Sequence, residues 1–315
     1  MRALRNLSHA LCTGYVACFF SERLFWTVLW PDATAGDLLL TWLAYSALAY
    51  LFLTVIHWSA ADGWSSTFLA GSVYGWLAEG GLANTLYGGE SSAPFPWSIS
   101  ITGLSWHTLL TIMVGWWGVR VALRVGRARQ LAMICASVGM FWGFWSMFPL
   151  QEQPPIYTPT ASFAVQAIGF SLALLLAWAA INKLGFDSFA PGWPGTLIAL
   201  AAVGLFYVQH AAAQGWVVAL LPLLVALSLG LLALNRKLRA QAATSAALAS
   251  NRLLLWWLLT PLLATAVFAA LKATGGEKLP IAPTLYLIAG TAGFVVYVLA
   301  AGREIRIAWR RPTAA

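Results

Sequence analysis

The chain has 315 residues, 60% of them hydrophobic and only 9% charged, with a formal net charge of +8. A soluble domain carries roughly a quarter charged residues, so the composition excludes an ordinary soluble fold and leaves no stretch for a fused extramembrane catalytic module. Nor does the charge point to nucleic acid, because Lys and Arg sit in short clusters beside apolar runs, where the positive-inside rule accounts for them.

Ten segments have about the twenty apolar residues that a helix needs to cross the hydrocarbon core. They occupy residues 11–30, 38–58, 65–84, 98–119, 130–149, 159–182, 194–211, 216–235, 254–271 and 282–301. Pro, Gly and charge mark the breaks, as at Trp30-Pro31-Asp32, Gln153-Pro154-Pro155 and Pro191-Gly192-Trp193-Pro194. The expected fold is an all-α, polytopic integral membrane protein over residues 1–315, with a polar half at 1–158 and a mainly apolar scaffold half at 159–315. The first segment resembles a secretory signal, but Glu22 and Arg23 interrupt its core, which favours a retained span.

Charge placement gives an independent reading of the count. Alternate loops collect Arg2 and Arg5; Arg120, Arg124, Arg127 and Arg129; Lys183; Arg236, Lys237, Arg239 and Arg252; and Arg303, Arg306, Arg310 and Arg311. The opposite loops hold only Lys272 and Lys278. With ten crossings, both termini fall on the cytoplasmic side of a bacterial-type cytoplasmic membrane. Cys12, Cys18 and Cys135 lie within predicted helices and pack as small apolar residues, so no disulfide framework is expected. Of the eighteen Trp, several near segment ends suit the interfacial belt, whereas Trp76, Trp106, Trp142 and Trp145 fall deeper, as packing residues or cavity walls.

Nucleotide-binding glycine loops, the H-E-x-x-H zinc motif and paired-Cys metal sites are all missing from the sequence. What remains is a short set of ionisable residues in apolar segments, each costly to bury and therefore a functional candidate. These are Glu22, Arg23, Glu79 and His107, with His57 and His210 near segment ends. In the third segment Gly71, Gly75 and Glu79 share an i, i+4 ridge, and in the fourth Gly103, His107, Thr111 and Gly115 share another. Small residues let membrane helices approach closely, so Glu79 and His107 are expected to face one another. A carboxylate beside an imidazole can act as an acid–base pair, position a water, or give two ligands to a metal ion. A packed histidine and a neutral, hydrogen-bonded glutamic acid account for the same pattern without function. Trp106 adjoins the pair, and Glu90 and Glu152 in the outer loops are further binding candidates, with solvated surface acids as the plainer reading.

The order Glu79, His107, then His210 with Gln214 four residues on is similar to the Glu, His and His-x-x-x-Asn/Asp order of glutamic intramembrane proteases of the CAAX-processing type. It departs from that pattern: Gly80 follows Glu79 where a second Glu is expected, the motif's Arg is missing, Gly103 stands in place of Phe, and Gln214 replaces Asn or Asp. Ten spans in this length also resemble the drug/metabolite transporter architecture, without a visible repeat between the halves. The chain is assigned to neither family. Three readings follow: an enzyme acting on a lipid or isoprenoid-like substrate at Glu79 and His107; a carrier binding a proton or solute at Glu22, Arg23 and Glu79; and a non-catalytic subunit whose last three helices meet a second copy or a membrane-protein partner. Membrane lipids are the expected surroundings in each.

Overall fold

The computed structural model describes residues 2–25, 34–87, 99–151, 155–242, 250–279 and 281–310, and these are mostly helical, joined by turns and short irregular connections, with no strand among them. The helices are α1 (Arg2–Cys18), α2 (Ala35–Ser59), α3 (Trp64–Leu77), α4 (Val119–Val125), α5 (Ala128–Trp145), α6 (Thr160–Leu184), α7 (Trp193–Gln214), α8 (Leu220–Leu234), α9 (Arg236–Ala242), α10 (Leu259–Ala273) and α11 (Ile281–Trp309). Three stretches run in the wider π register: Phe19–Arg23 continues α1, Ala78–Leu82 continues α3, and Ile99–Gly118 leads into α4. The wide turns show in their hydrogen bonds, for Leu24 N–H donates to Phe19 O at 2.8 Å and Ala83 N–H to Ala78 O at 2.9 Å, each five residues back.

Among the described residues, seven helices are long and apolar enough to cross a membrane: Ala35–Ser59, Ile101–Val125, Ala128–Gln151, Thr160–Leu184, Gly215–Leu234, Asn251–Ala273 and Ile288–Trp309. They match the second, fourth, fifth, sixth, eighth, ninth and tenth predicted segments; α1, α3 and α7 overlap the other three, which are not among those seven. The chain is thus an all-α integral membrane protein. In α3 every residue from Ser65 to Trp76 is buried, four of them Ser or Thr. A helix enclosed by protein on all sides meets no lipid and has no need of an apolar face. On the outer helices, by contrast, Val165, Leu176, Ile198, Leu223, Leu262 and Leu299 are exposed, as lipid contact requires.

The connections gather at two ends. At one, Arg2 and Asn6 of α1 donate to the Ala190 carbonyl after α6, Arg124 reaches Asp62 between α2 and α3, and Arg239 donates to Ser59 O at the end of α2. At the other, Lys272 donates to Thr158 O, Gln151 to Leu279 O, and Trp145 to Phe25 O. The Arg-rich predicted loops share the first end.

Glycine sets the closest approaches. A Cβ on Gly75 would overlap the Gly103 carbonyl, and one on Gly71 would press on Thr108 and Ile112 at 3.0 Å, so α3 and the 99–118 segment touch backbone to backbone. Gly115, read from sequence on the same ridge, instead faces the Phe20 ring. The wide π register rotates that residue away from the line an α-helix would give. In the same way Gly139 and Gly143 of α5 seat on Thr260 and Ala264 of α10.

The mainly apolar half expected at 159–315 does carry a buried charge: α11 continues eight residues past the predicted segment and buries Glu304 at 2% exposure. Ser65 of α3 donates to its Oε1 at 2.8 Å; Asn235 and Arg239 donate to Oε2 at 2.8 and 2.7 Å. The apolar run ends before this residue, so hydropathy alone did not include it.

Candidate functional site

Glu79 lies in the π turn that ends α3, and His107 in the middle of the 99–118 segment. Glu79 Oε1 and His107 Nε2 meet at 2.5 Å, with residue exposures of 6% and 4%. Thr85 donates to the other carboxylate oxygen, Oε2. With Glu79 ionised, Oε1 accepts from Nε2–H of His107, and Nδ1 is left to accept. That nitrogen lies 2.9 Å from Ser21 Oγ, in the π turn that ends α1. Ser21 Oγ also lies 3.1 Å from Thr111 Oγ1 and 3.4 Å from Tyr74 OH.

A chain of side chains, Thr85–Glu79–His107–Ser21, therefore joins the ends of α1 and α3 to the 99–118 segment. Its buried members Glu79, His107 and Ser21 each sit in one of the three π stretches, and the half-buried Thr85 in a 3-10 turn. The wider register is uncommon and is found mostly as single turns at functional sites, because it costs regular packing to redirect side chains. It also frees backbone carbonyls, which buried structure must satisfy. Trp106 Nε1 donates to Phe20 O at 3.0 Å, Tyr87 OH to Gly80 O at 2.9 Å, and His210 Nε2 to Leu82 O at 3.1 Å.

Trp106 and His210, both expected as binding residues, thus hold the turns that carry Ser21 and Glu79. Trp106 additionally packs its indole on Phe25 and Trp145, with ring centroids 4.5 and 5.1 Å apart. Glu22 is half-buried; Tyr45 OH donates to its Oε1 at 2.6 Å, and the Tyr45 ring lies 6.3 Å from the His107 ring. Arg23, one residue on, turns away: its guanidinium lies over the Phe170 ring at 5.7 Å. Glu79 is engaged by His107 and not by Arg23. Glu90 and Glu152 lie outside the described residues, and His57 is exposed on α2, apart from the site.

For a metal ion, Glu79 and His107 are two ligands of suitable type, but among the described residues no third His, Cys, Asp or Glu joins them. Their direct hydrogen bond engages the same atoms that would bind the ion. The donor set fits proton transfer better than coordination.

Ser21, Tyr74, Tyr45 and Thr85 were not singled out from the sequence. Hydroxyls carry no burial penalty large enough to stand out in an apolar run. The available signal for Ser21 was adjacency to Glu22 in an otherwise aromatic stretch, Phe19-Phe20-Ser21-Glu22-Arg23.

Compared with known proteins, the chain matches no family, no curated sequence and no solved structure. The functional reading therefore rests on the chemistry of the site alone.

Proposed function

We propose that this chain is a membrane-embedded enzyme acting on a hydrophobic, lipid- or isoprenoid-like substrate, with Glu79 and His107 as its acid–base pair. In this reading the chain crosses a bacterial-type cytoplasmic membrane ten times, with both termini and the Arg-rich end cytoplasmic and the site in the outer half. The observation that carries it is the 2.5 Å contact of a carboxylate with an imidazole whose other nitrogen meets a hydroxyl, all buried from water. Such a base is held in one tautomer and one orientation, and low dielectric strengthens each of its charge interactions. Three π stretches converging on these residues support a site shaped for chemistry rather than for packing. The test is conversion of lipid in vesicles made from the host's total membrane lipid, followed by mass spectrometry: the wild-type protein turns over a component that Glu79→Gln and His107→Gln leave untouched.

A second reading, a carrier, is favoured by the buried Glu304–Arg239 pair at the opposite end, which closes α3, α9 and α11 together as a gate would. Opening of that end with transport, and no lipid conversion, would select it over the enzyme.

A further inference from the structure

We propose that Ser21 is the nucleophile of this site and that its substrate is an acyl ester of a membrane lipid. This rests on the acid–base reading of Glu79 and His107. A Ser hydroxyl is a weak nucleophile until a base takes its proton and a carboxylate orients that base. Both conditions are met here: Ser21 Oγ lies 2.9 Å from His107 Nδ1, and Glu79 Oε1 lies 2.5 Å from His107 Nε2. The constellation is recognised by its roles, although the imidazole presents Nδ1 rather than Nε2 to the hydroxyl.

The surroundings are apolar. Tyr74 and Thr111, the two hydroxyl residues beside Ser21, also line a closed seam, too narrow to admit a water molecule, walled by Val16, Phe52, Ile112 and Trp116. These wall residues lie on the α1, α2 and 99–118 turns toward the Arg-rich end. An acyl chain in the seam would therefore run inward from Ser21, leaving its carbonyl at the hydroxyl and its polar group toward the outer end. Entry requires the seam to widen, which the α1–α2 contact at Gly14 and Ser46 limits.

In the first step Ser21 Oγ attacks the ester carbonyl carbon and its proton passes to His107 Nδ1, forming an imidazolium that Glu79 stabilises. Tyr74 O–H, 3.4 Å from Ser21 Oγ, is the nearest phenolic donor to the developing oxyanion. As the tetrahedral intermediate collapses, the bond to the leaving alcohol breaks and that oxygen takes the proton from Nδ1, leaving an acylated Ser21. Water, or the hydroxyl of a second lipid, then attacks the acyl carbon and gives its proton to Nδ1. Ser21 Oγ departs with that proton, releasing a fatty acid or a new ester. Atoms and charge balance with no redox partner.

A long-chain alkyl fluorophosphonate, which phosphonylates activated serines with loss of fluoride, tests this without knowledge of the natural substrate. The purified wild-type protein in lipid nanodiscs is expected to gain one adduct, mapped to Ser21 by peptide mass spectrometry. The adduct should vanish in Ser21→Ala and form at least about a hundredfold more slowly in His107→Gln, the contribution of a positioned base. No adduct on folded wild-type protein, or an unchanged rate in His107→Gln, overturns the assignment. In the host-lipid vesicle assay, turnover kept by Ser21→Ala but lost in Glu79→Gln overturns the nucleophile alone. Turnover kept by both Glu79→Gln and His107→Gln overturns the acid–base reading and the nucleophile with it.

Discussion

Gly75 and Gly103 meet backbone to backbone, one helical turn from the point where Glu79 reaches His107. A Cβ on Gly75 would overlap the Gly103 carbonyl oxygen, which is main chain and cannot rotate aside. The small residues and the ionisable pair thus form one arrangement: the first permits the distance at which the second can share a proton.

Gly75→Ala should therefore separate α3 from the 99–118 segment, at a cost of about 1–3 kcal/mol for overpacking, and should impair the site without altering either ionisable group. Gly169→Ala serves as control, since a Cβ there meets nothing within 4 Å. It should be neutral or raise stability by about 0.5–1 kcal/mol, as Ala for Gly does in a helix. Thermal melting of both variants in one detergent checks the contrast.

At the other end, Arg239→Ala leaves Glu304 buried with its cationic partner removed. Breaking a buried pair in this way costs about 3–5 kcal/mol, whereas replacing both members costs far less. The Tm of Arg239→Ala should fall clearly below that of the wild type, and Glu304→Gln added to it should recover part of the loss. Equal or additive losses would mean that the pair is not coupled.

For topology, single cysteines at positions 90 and 127, in a background lacking Cys12, Cys18 and Cys135, should react with an impermeant maleimide from opposite sides of intact cells or inverted vesicles. The ten-crossing arrangement puts position 127 with the Arg-rich cytoplasmic clusters and position 90 outside. Reaction of both from one side would contradict it.

Apolar runs of spanning length and the Gly71, Gly75 and Gly103 spacing made the helical bundle and the Glu79–His107 approach legible in the sequence, because both depend on residue type and local periodicity alone. What escaped was register. An i, i+4 ridge assumes an α-helix, and the π stretches at 19–23, 78–82 and 99–118 rotate residues off that ridge, turning Gly115 to Phe20 and bringing Ser21 to His107. Tertiary context also adds what position alone does not give: Trp106 and His210 donate to carbonyls in the wide turns. Glu304 escaped because it follows the last apolar run, and only its packing against Ser65 of α3, Asn235 after α8 and Arg239 of α9 makes it buried.

The account stands most directly on whether Glu79 and His107 act as one chemical unit. Lipid conversion should be measured for Glu79→Gln, His107→Gln and the double variant, with the Tm of each preparation, in host-lipid vesicles. Residues that act together are non-additive, so each single variant should lose nearly all turnover at a near-wild-type Tm, and the double variant should be no worse than the poorer single. Variants that melt early yet turn over lipid at the wild-type rate per folded molecule would contradict the account, and would make the pair a device of packing alone.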